Sequence, residues 1–157
     1  MKLVLVGKAA AGKDHLRKRL MDRGLKFGVS CTTRPPRQGE VDGQDYHFLS
    51  VHQFNTLVNK GEMVEHQQFN GWYYGLTKDE FEKCDVMILN REAVDMLPAE
   101  IRNQCMVVFL DIDLETRLAR ITERNDTSDS IERRINADEL QYIGFTNFDL
   151  RVTNPNF

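Results

Sequence analysis

The sequence predicts an α/β fold of three layers, a parallel core sheet with helices packed on both faces, and three observations carry that expectation. Short, nearly unbroken apolar runs recur at residues 2–6, 85–90 and 105–110, as expected of strands buried on both sides of a parallel sheet. Segments between and after them place apolar residues at helical spacing, Leu16 and Leu20 among them, so strands alternate with helices along the chain. The first run also passes straight into a loop bounded by Gly7 and Gly12 and then into a helix, the order of an anion-binding turn.

Residues 2–6, Lys2-Leu3-Val4-Leu5-Val6, are the first strand, and residues 14–23 follow as a helix with Leu16 and Leu20 on one face. Residues 26–31 read as a second strand and 51–59 as a short helix. From 62 to 74 the chain is extended and polar, broken by Asn70-Gly71, a pair favoured in two-residue hairpin turns. The core pattern returns at 85–90 and 105–110, joined by a helix-compatible connection over 91–103 that contains Pro98. Residues 114–124 and 130–142 are helical, and 150–153 supply a last strand. No internal repeat or low-complexity segment interrupts the pattern. Ligands of such a sheet bind beyond the carboxyl ends of its strands.

A chain of 157 residues that is 41% hydrophobic is long enough for one domain with a sizeable core. Its formal charge of −3 argues against broad electrostatic binding to nucleic acid or to a membrane surface, so the expected partners are small molecules. Cys31, Cys84 and Cys105 are odd in number, widely spaced and without metal-ligand spacing, which predicts reduced thiols and a cytoplasmic setting. The first apolar run is too short for a secretory signal, and no segment is long enough to span a bilayer.

Gly7-Lys8-Ala9-Ala10-Ala11-Gly12-Lys13-Asp14 is a phosphate-binding loop in its required setting, with a strand before it and a helix after it. Gly7 and Gly12 permit the backbone angles that turn amide N–H groups toward a β-phosphate, and Lys13 supplies a point charge for the β and γ oxygens. The next position departs from the pattern, because Asp14 stands where a serine or threonine hydroxyl ordinarily meets magnesium. Its carboxylate is either a hard oxygen ligand for Mg2+, directly or through water, or simply a helix cap. A second anion pocket is written into Ser30-Cys31-Thr32-Thr33-Arg34-Pro35-Pro36-Arg37, continued by Gly39-Glu40 and Asp45-Tyr46. Two guanidinium forks match phosphate oxygens bidentately, and the prolines limit the backbone freedom lost when the loop is ordered. The ligand this suggests is a phosphomonoester.

In order and spacing these segments, together with Gly61-Glu62-Met63-Val64-Glu65 and Gly71-Trp72-Tyr73-Tyr74-Gly75, resemble the guanylate kinases over residues 1–154, nearly the whole chain. The resemblance implies the P-loop nucleoside monophosphate kinase fold. Its core would comprise residues 1–31 and 76–157, with a small inserted monophosphate-binding lobe near 32–75 and a helical lid near 120–134. It also implies transfer of the ATP γ-phosphoryl group to GMP or dGMP with Mg2+. Under it, Ser30, Arg34, Arg37, Tyr46 and Tyr74 hold the acceptor phosphate, in keeping with their donors. Glu65 receives the N1 and N2 hydrogens of guanine. Asn90 replaces the first residue of the family's acidic pair, Glu92 stands in for the second, and Asp14 becomes a candidate to supply the carboxylate that Asn90 lacks. Leu76 occupies the position from which a hydroxyl usually donates to the base, so guanine O6 is expected to lose a partner.

Arg117, Arg120 and Arg124 fall at i, i+3 and i+7 and share one helical face, and Arg133-Arg134 begin the next helix. The face is either a lid cluster over a moving phosphoryl group or a surface paired with Glu115, Glu123, Glu132 and Asp138. The resemblance places Arg120 and Arg124 beside ATP with Gly7, Gly12, Lys13 and Asp14, and makes Lys13, Arg124 and Arg134 the catalytic set. No general base is required, since a phosphate oxygen is already nucleophilic at neutral pH. Two other readings stay open: a kinase for another nucleoside or deoxynucleoside monophosphate, which Leu76 favours, and a weakened guanylate-kinase-like binding module, against which the intact Lys13 argues.

Overall fold

The computed structural model describes residues 1–123 and 128–157, apart from the side chains of 128–130. The chain opens with β1 (Lys2–Gly7), α1 (Lys13–Asp22), β2 (Phe27–Gly28), β3 (Cys31–Thr32), β4 (His47–Phe48) and α2 (Val51–Asn59). It continues through β5 (Met63–Phe69), β6 (Trp72–Thr77), α3 (Lys78–Lys83), β7 (Val86–Ile88), α4 (Arg91–Met96) and α5 (Ala99–Arg102). The last elements are β8 (Cys105–Leu110), α6 (Leu114–Glu123), α7 (Ser128–Tyr142) and β9 (Leu150–Val152).

Five strands form the core sheet in the order β2-β7-β1-β8-β9, with parallel pairing throughout. Successive side chains of a strand point to opposite faces, so apolar runs such as Val4-Leu5-Val6 feed two separate clusters. Val4, Val6, Met87, Val107 and Phe109 pack with Ala93, Val94, Tyr142 and Phe145, while Leu5, Val86, Val108 and Leu110 pack with Ala11, Leu16 and Leu20. Each fully buried Val or Leu of this kind contributes about 1.5–3 kcal/mol. The result is the expected three layers.

A second sheet, ordered β4-β3-β6-β5, stands beside the core, and its two longest strands form an antiparallel hairpin. The hairpin turns at Asn70 (φ 51°) and Gly71 (φ 82°), both left-handed, which is the two-residue turn expected of that dipeptide. Ser50 starts α2 with a capping box shared with Gln53.

Where expectation and structure differ, the causes are contacts remote in sequence. The strand expected over 26–31 is two short strands in different sheets, β2 in the core and β3 in the second sheet. Between them the Val29 N–H donates to Glu80 Oε2 at 3.0 Å, a crossing that a short apolar run does not reveal. The strand expected over 85–90 ends at Ile88, because the Asn90 side chain already caps α4 and accepts from the Ala93 N–H at 2.9 Å. The three cysteines are free and buried. Among the described residues no helix is long and apolar enough to cross a membrane.

Candidate active site

The phosphate loop leaves the carboxyl end of β1 at Gly7 and enters α1 through Gly12, whose φ of 102° is open to glycine without strain. Ala10 holds a φ of 60° without that freedom, and backbone strain of this kind concentrates at ligand-binding turns. Lys13 Nζ donates back to the Gly7 carbonyl and, at 2.9 Å, to the Lys8 carbonyl. Burial lowers the Lys13 ammonium to about 8, with Asp138 and Asp14 opposing the shift and Arg117 and Arg134 adding to it.

Helix α7 grips the loop from the side with three residues. Asp138 Oδ2 accepts from the Ala9 N–H at 2.7 Å, Glu139 accepts from Lys8 Nζ at 3.0 Å, and the Tyr142 hydroxyl donates to the Gly7 carbonyl at 3.3 Å. The Ala9 amide thus already holds an anionic oxygen, the kind of group such a loop is shaped to receive.

From the loop a cavity of about 480 Å³ extends between the core and the second sheet, within the size range of small-molecule sites. Ser30, Arg34, Arg37, Tyr46 and Tyr74 line it along with Lys13, Arg133 and Arg134. Arg34 donates to both oxygens of Glu40, at 2.8 and 2.9 Å, and lies 5.3 Å from the Tyr46 ring centroid. Burial works against the Arg34 charge, but Glu40 outweighs it and the guanidinium is raised above its ordinary value. Arg37 shifts the other way, lowered by burial and then by the charges of Arg34 and Arg134. Guanidinium groups crowded into a partly dry pocket make an anion site, since an entering phosphate relieves their repulsion. Burial raises the Tyr46 phenol, which therefore remains a donor at neutral pH, and its ring meets Tyr74 edge-on at 6.1 Å.

Glu65, only 5% exposed, lies on the same wall. Burial pushes its carboxyl up to about 8 against the opposing hydrogen bond of the Leu76 N–H, and its Oε2 has no hydrogen-bond partner among the described residues. Gln67 Oε1 and Gln141 Nε2 are in the same state, and both residues line the cavity. Buried polar atoms are seldom left unpaired, so three around one cavity, two from β5 and one from α7, mark a place for a ligand.

The cavity gathers Gly7, Lys13, Ser30, Arg34, Arg37, Tyr46, Glu65, Tyr74 and Arg134 from the residues expected at the site. Gly12 and Arg120 lie beside the loop, where Arg120 donates to the Ala10 carbonyl at 2.9 Å and the Pro155 carbonyl at 3.1 Å. Asp14 is exposed, its carboxylate 3.5 Å from Arg17 Nε. Three further side chains named in the sequence lie outside that group. Glu92 is exposed on the first turn of α4 and is not part of the cavity wall. Leu76 gives its side chain to the core, fully buried, and offers the cavity no hydroxyl. Arg117 is buried, donating to the Ile112 carbonyl at 3.0 Å and Glu139 at 2.8 Å, so it braces α6 against α7. Arg124 lies outside the described residues. Sequence reasoning missed Gln67 and Gln141, and took Asp138 only for an ion-pair partner. Strand alternation from Glu65 would have found Gln67, whereas no local signal marks Gln141 or Asp138.

Fold and cavity together define an α/β protein of the phosphate-loop kinase class. The whole chain, residues 1–157, matches the family model for guanylate kinase. The guanylate kinase of Ruegeria sp. (strain TM1040) is 36% identical over 155 residues, covering 90% of this chain and 71% of that protein. The guanylate kinase of Nostoc sp. (strain PCC 7120 / SAG 25.82 / UTEX 2576) is 29% identical over 164 residues, covering 99% and 82%. The crystal structure of guanylate kinase from Anaplasma phagocytophilum shares the fold with a TM-score of 0.74 at 22% identity, over 98% of this chain and 76% of that one. The chain belongs to the guanylate kinase family.

Proposed function

We propose that this protein transfers the γ-phosphoryl group of ATP to GMP or dGMP, giving ADP and the guanine nucleoside diphosphate. One observation carries the reading: a single cavity joins Lys13 and the phosphate loop to Arg34, Arg37, Tyr46 and Tyr74, with the buried carboxyl of Glu65 on the same wall. Gly7, Gly12 and Lys13 take the ATP phosphates, flanked by Arg120 and Arg124. Ser30, Arg34, Arg37, Tyr46 and Tyr74 hold the acceptor phosphate. An acceptor oxygen attacks the γ-phosphorus in line while the bond to the bridging oxygen breaks and ADP departs. Lys13, Arg124 and Arg134 offset the charge that spreads over the transferred group. Glu65 ionises on binding, because only the carboxylate accepts both the N1 and the N2 hydrogens of guanine.

Magnesium fits the donors at hand in a limited way. Among the described residues no three His, Cys, Asp or Glu side chains cluster, but Mg2+ commonly takes one or two carboxylates and fills its shell with phosphate oxygens and water. Asp14, next to Lys13 and exposed, is the carboxylate assigned to it in this reading. When bound, the ion would neutralise phosphate charge. In the same reading, residues 1–31 and 76–157 are the core, 32–75 the acceptor lobe and 120–134 a lid that closes over both substrates and excludes water. The free buried cysteines are in keeping with a cytoplasmic enzyme.

An acceptor screen tests this. The purified chain is incubated with ATP, Mg2+ and each of GMP, dGMP, AMP, TMP and CMP while ADP is followed. Guanine acceptors should lead by about 100-fold or more in kcat/KM, the scale on which a site built for a polar edge rejects others. A lead by another base would assign a different monophosphate, and nucleotide binding without ADP formation would make the protein a binding module.

A further inference from the structure

The orphaned carboxamide oxygen of Gln67 has a chemical identity that its neighbours settle. Asn90 Oδ1 accepts from the Ala93 N–H at 2.9 Å as the N-cap of α4, which fixes the end of that amide carrying oxygen. Gln67 turns its Nε2 to the same oxygen. Reversing the Gln67 amide would set two acceptors against each other. Gln67 Oε1 is thus held as an acceptor, buried, on the cavity wall and without a donor among the described residues. Side chains two apart on a strand share a face, and Glu65 and Gln67 of β5 both border the cavity.

We propose that Gln67 is a base-reading residue, its carboxamide oxygen accepting one hydrogen of an exocyclic amine while Glu65 takes the other amine hydrogen and the adjacent ring N–H. Asn90 is its positioning residue. The inference rests on the reading of the acceptor as a guanine nucleotide and names what distinguishes that nucleotide here. Guanine carries three hydrogens at N1 and N2, two on its Watson–Crick edge and the second amine hydrogen toward N3, and two carboxylate oxygens with one carboxamide oxygen match them one for one. Hypoxanthine lacks the amine, and adenine lacks the N1 hydrogen. Leu76 is committed to the core, so base discrimination in this chain falls to β5.

The test titrates the full chain with GMP and with IMP by calorimetry, without ATP, and measures ADP formation separately. Wild type should bind GMP at least about ten-fold tighter than IMP, the effect of a buried acceptor left without its donor. Gln67→Met, close in volume but without an acceptor, should weaken GMP about ten-fold and leave IMP unchanged, collapsing the preference. Gln67→Ala carries the same expectation should the methionine variant not fold. Asn90→Asp keeps an acceptor at the cap and should keep the preference. Equal binding of GMP and IMP by wild type, an undiminished preference in the Gln67 variants, or a parallel loss of both ligands would overturn the assignment. A Gln67-dependent preference in a protein that forms no ADP would sink the kinase reading alone and leave Gln67 in its role.

Discussion

Replacing Glu65 with glutamine should stabilise the empty protein and nearly abolish use of its acceptor, two effects with one cause. Burial pushes the carboxyl from an ordinary 4.5 to about 8. At pH 7 the folded protein therefore holds it mostly protonated, whereas the unfolded chain ionises it. Because the folded value is the raised one, stability is intact below pH 4.5 and falls as pH rises toward 8. Each pH unit in that interval removes about 1.4 kcal/mol, so the loss at pH 7 is about 3 kcal/mol. Glutamine does not titrate and escapes it. For a domain of this length that difference is roughly 6–12 °C in Tm at pH 7, shrinking to about 1–3 °C at pH 5. Activity moves the other way. Two hydrogen bonds from guanine to a carboxylate, at about 1.5–3 kcal/mol each, put the fall in kcat/KM for GMP near 1,000-fold. Thermal unfolding at the two pH values and steady-state kinetics read both effects. A Tm gain equal at pH 5 and pH 7 would show that Glu65 is not a buried acid, and a kcat/KM within ten-fold of wild type would remove it from the base.

Two further outcomes follow from the phosphate ends of the cavity. Arg37 is lowered by burial and by Arg34 and Arg134, so Arg37→Ala should raise KM for GMP about 30-fold through loss of charge-assisted bonds. Its KM for ATP should stay within about three-fold, and equal rises in both constants would contradict its place on the acceptor phosphate. Asp14→Ala should raise the Mg2+ concentration for half-maximal rate about ten-fold without changing KM for GMP. Unaltered Mg2+ dependence and turnover would leave Asp14, which does not cap α1, as a first-turn carboxylate paired with Arg17.

The buried Glu65 illustrates a general trade. Desolvated charges and unpaired polar atoms disfavour the empty fold and are retained where a ligand will pair them. The stability gain expected of Glu65→Gln and the orphaned oxygen of Gln67 are two expressions of that arrangement.

Sequence by itself determined whatever is carried by contiguous residues: the two-faced apolar strands, the phosphate loop with Lys13, the Arg34 to Tyr46 segment and the Asn70-Gly71 turn. Each is a local pattern in which the residue type specifies backbone angles or donors. Tertiary structure decided which way side chains face and what they meet. Leu76 and Glu92 belong to matched motifs, yet one is absorbed by the core and the other is left in solvent. Arg117 shares a helical face with Arg120, yet burial and Glu139 make it a brace. Gln67 acquires its fixed acceptor only because Asn90, 23 residues away, is itself held by a helix cap. The reason is physical: backbone preference is set by near neighbours, whereas burial, pKa and hydrogen-bond satisfaction depend on atoms that only the folded chain brings together.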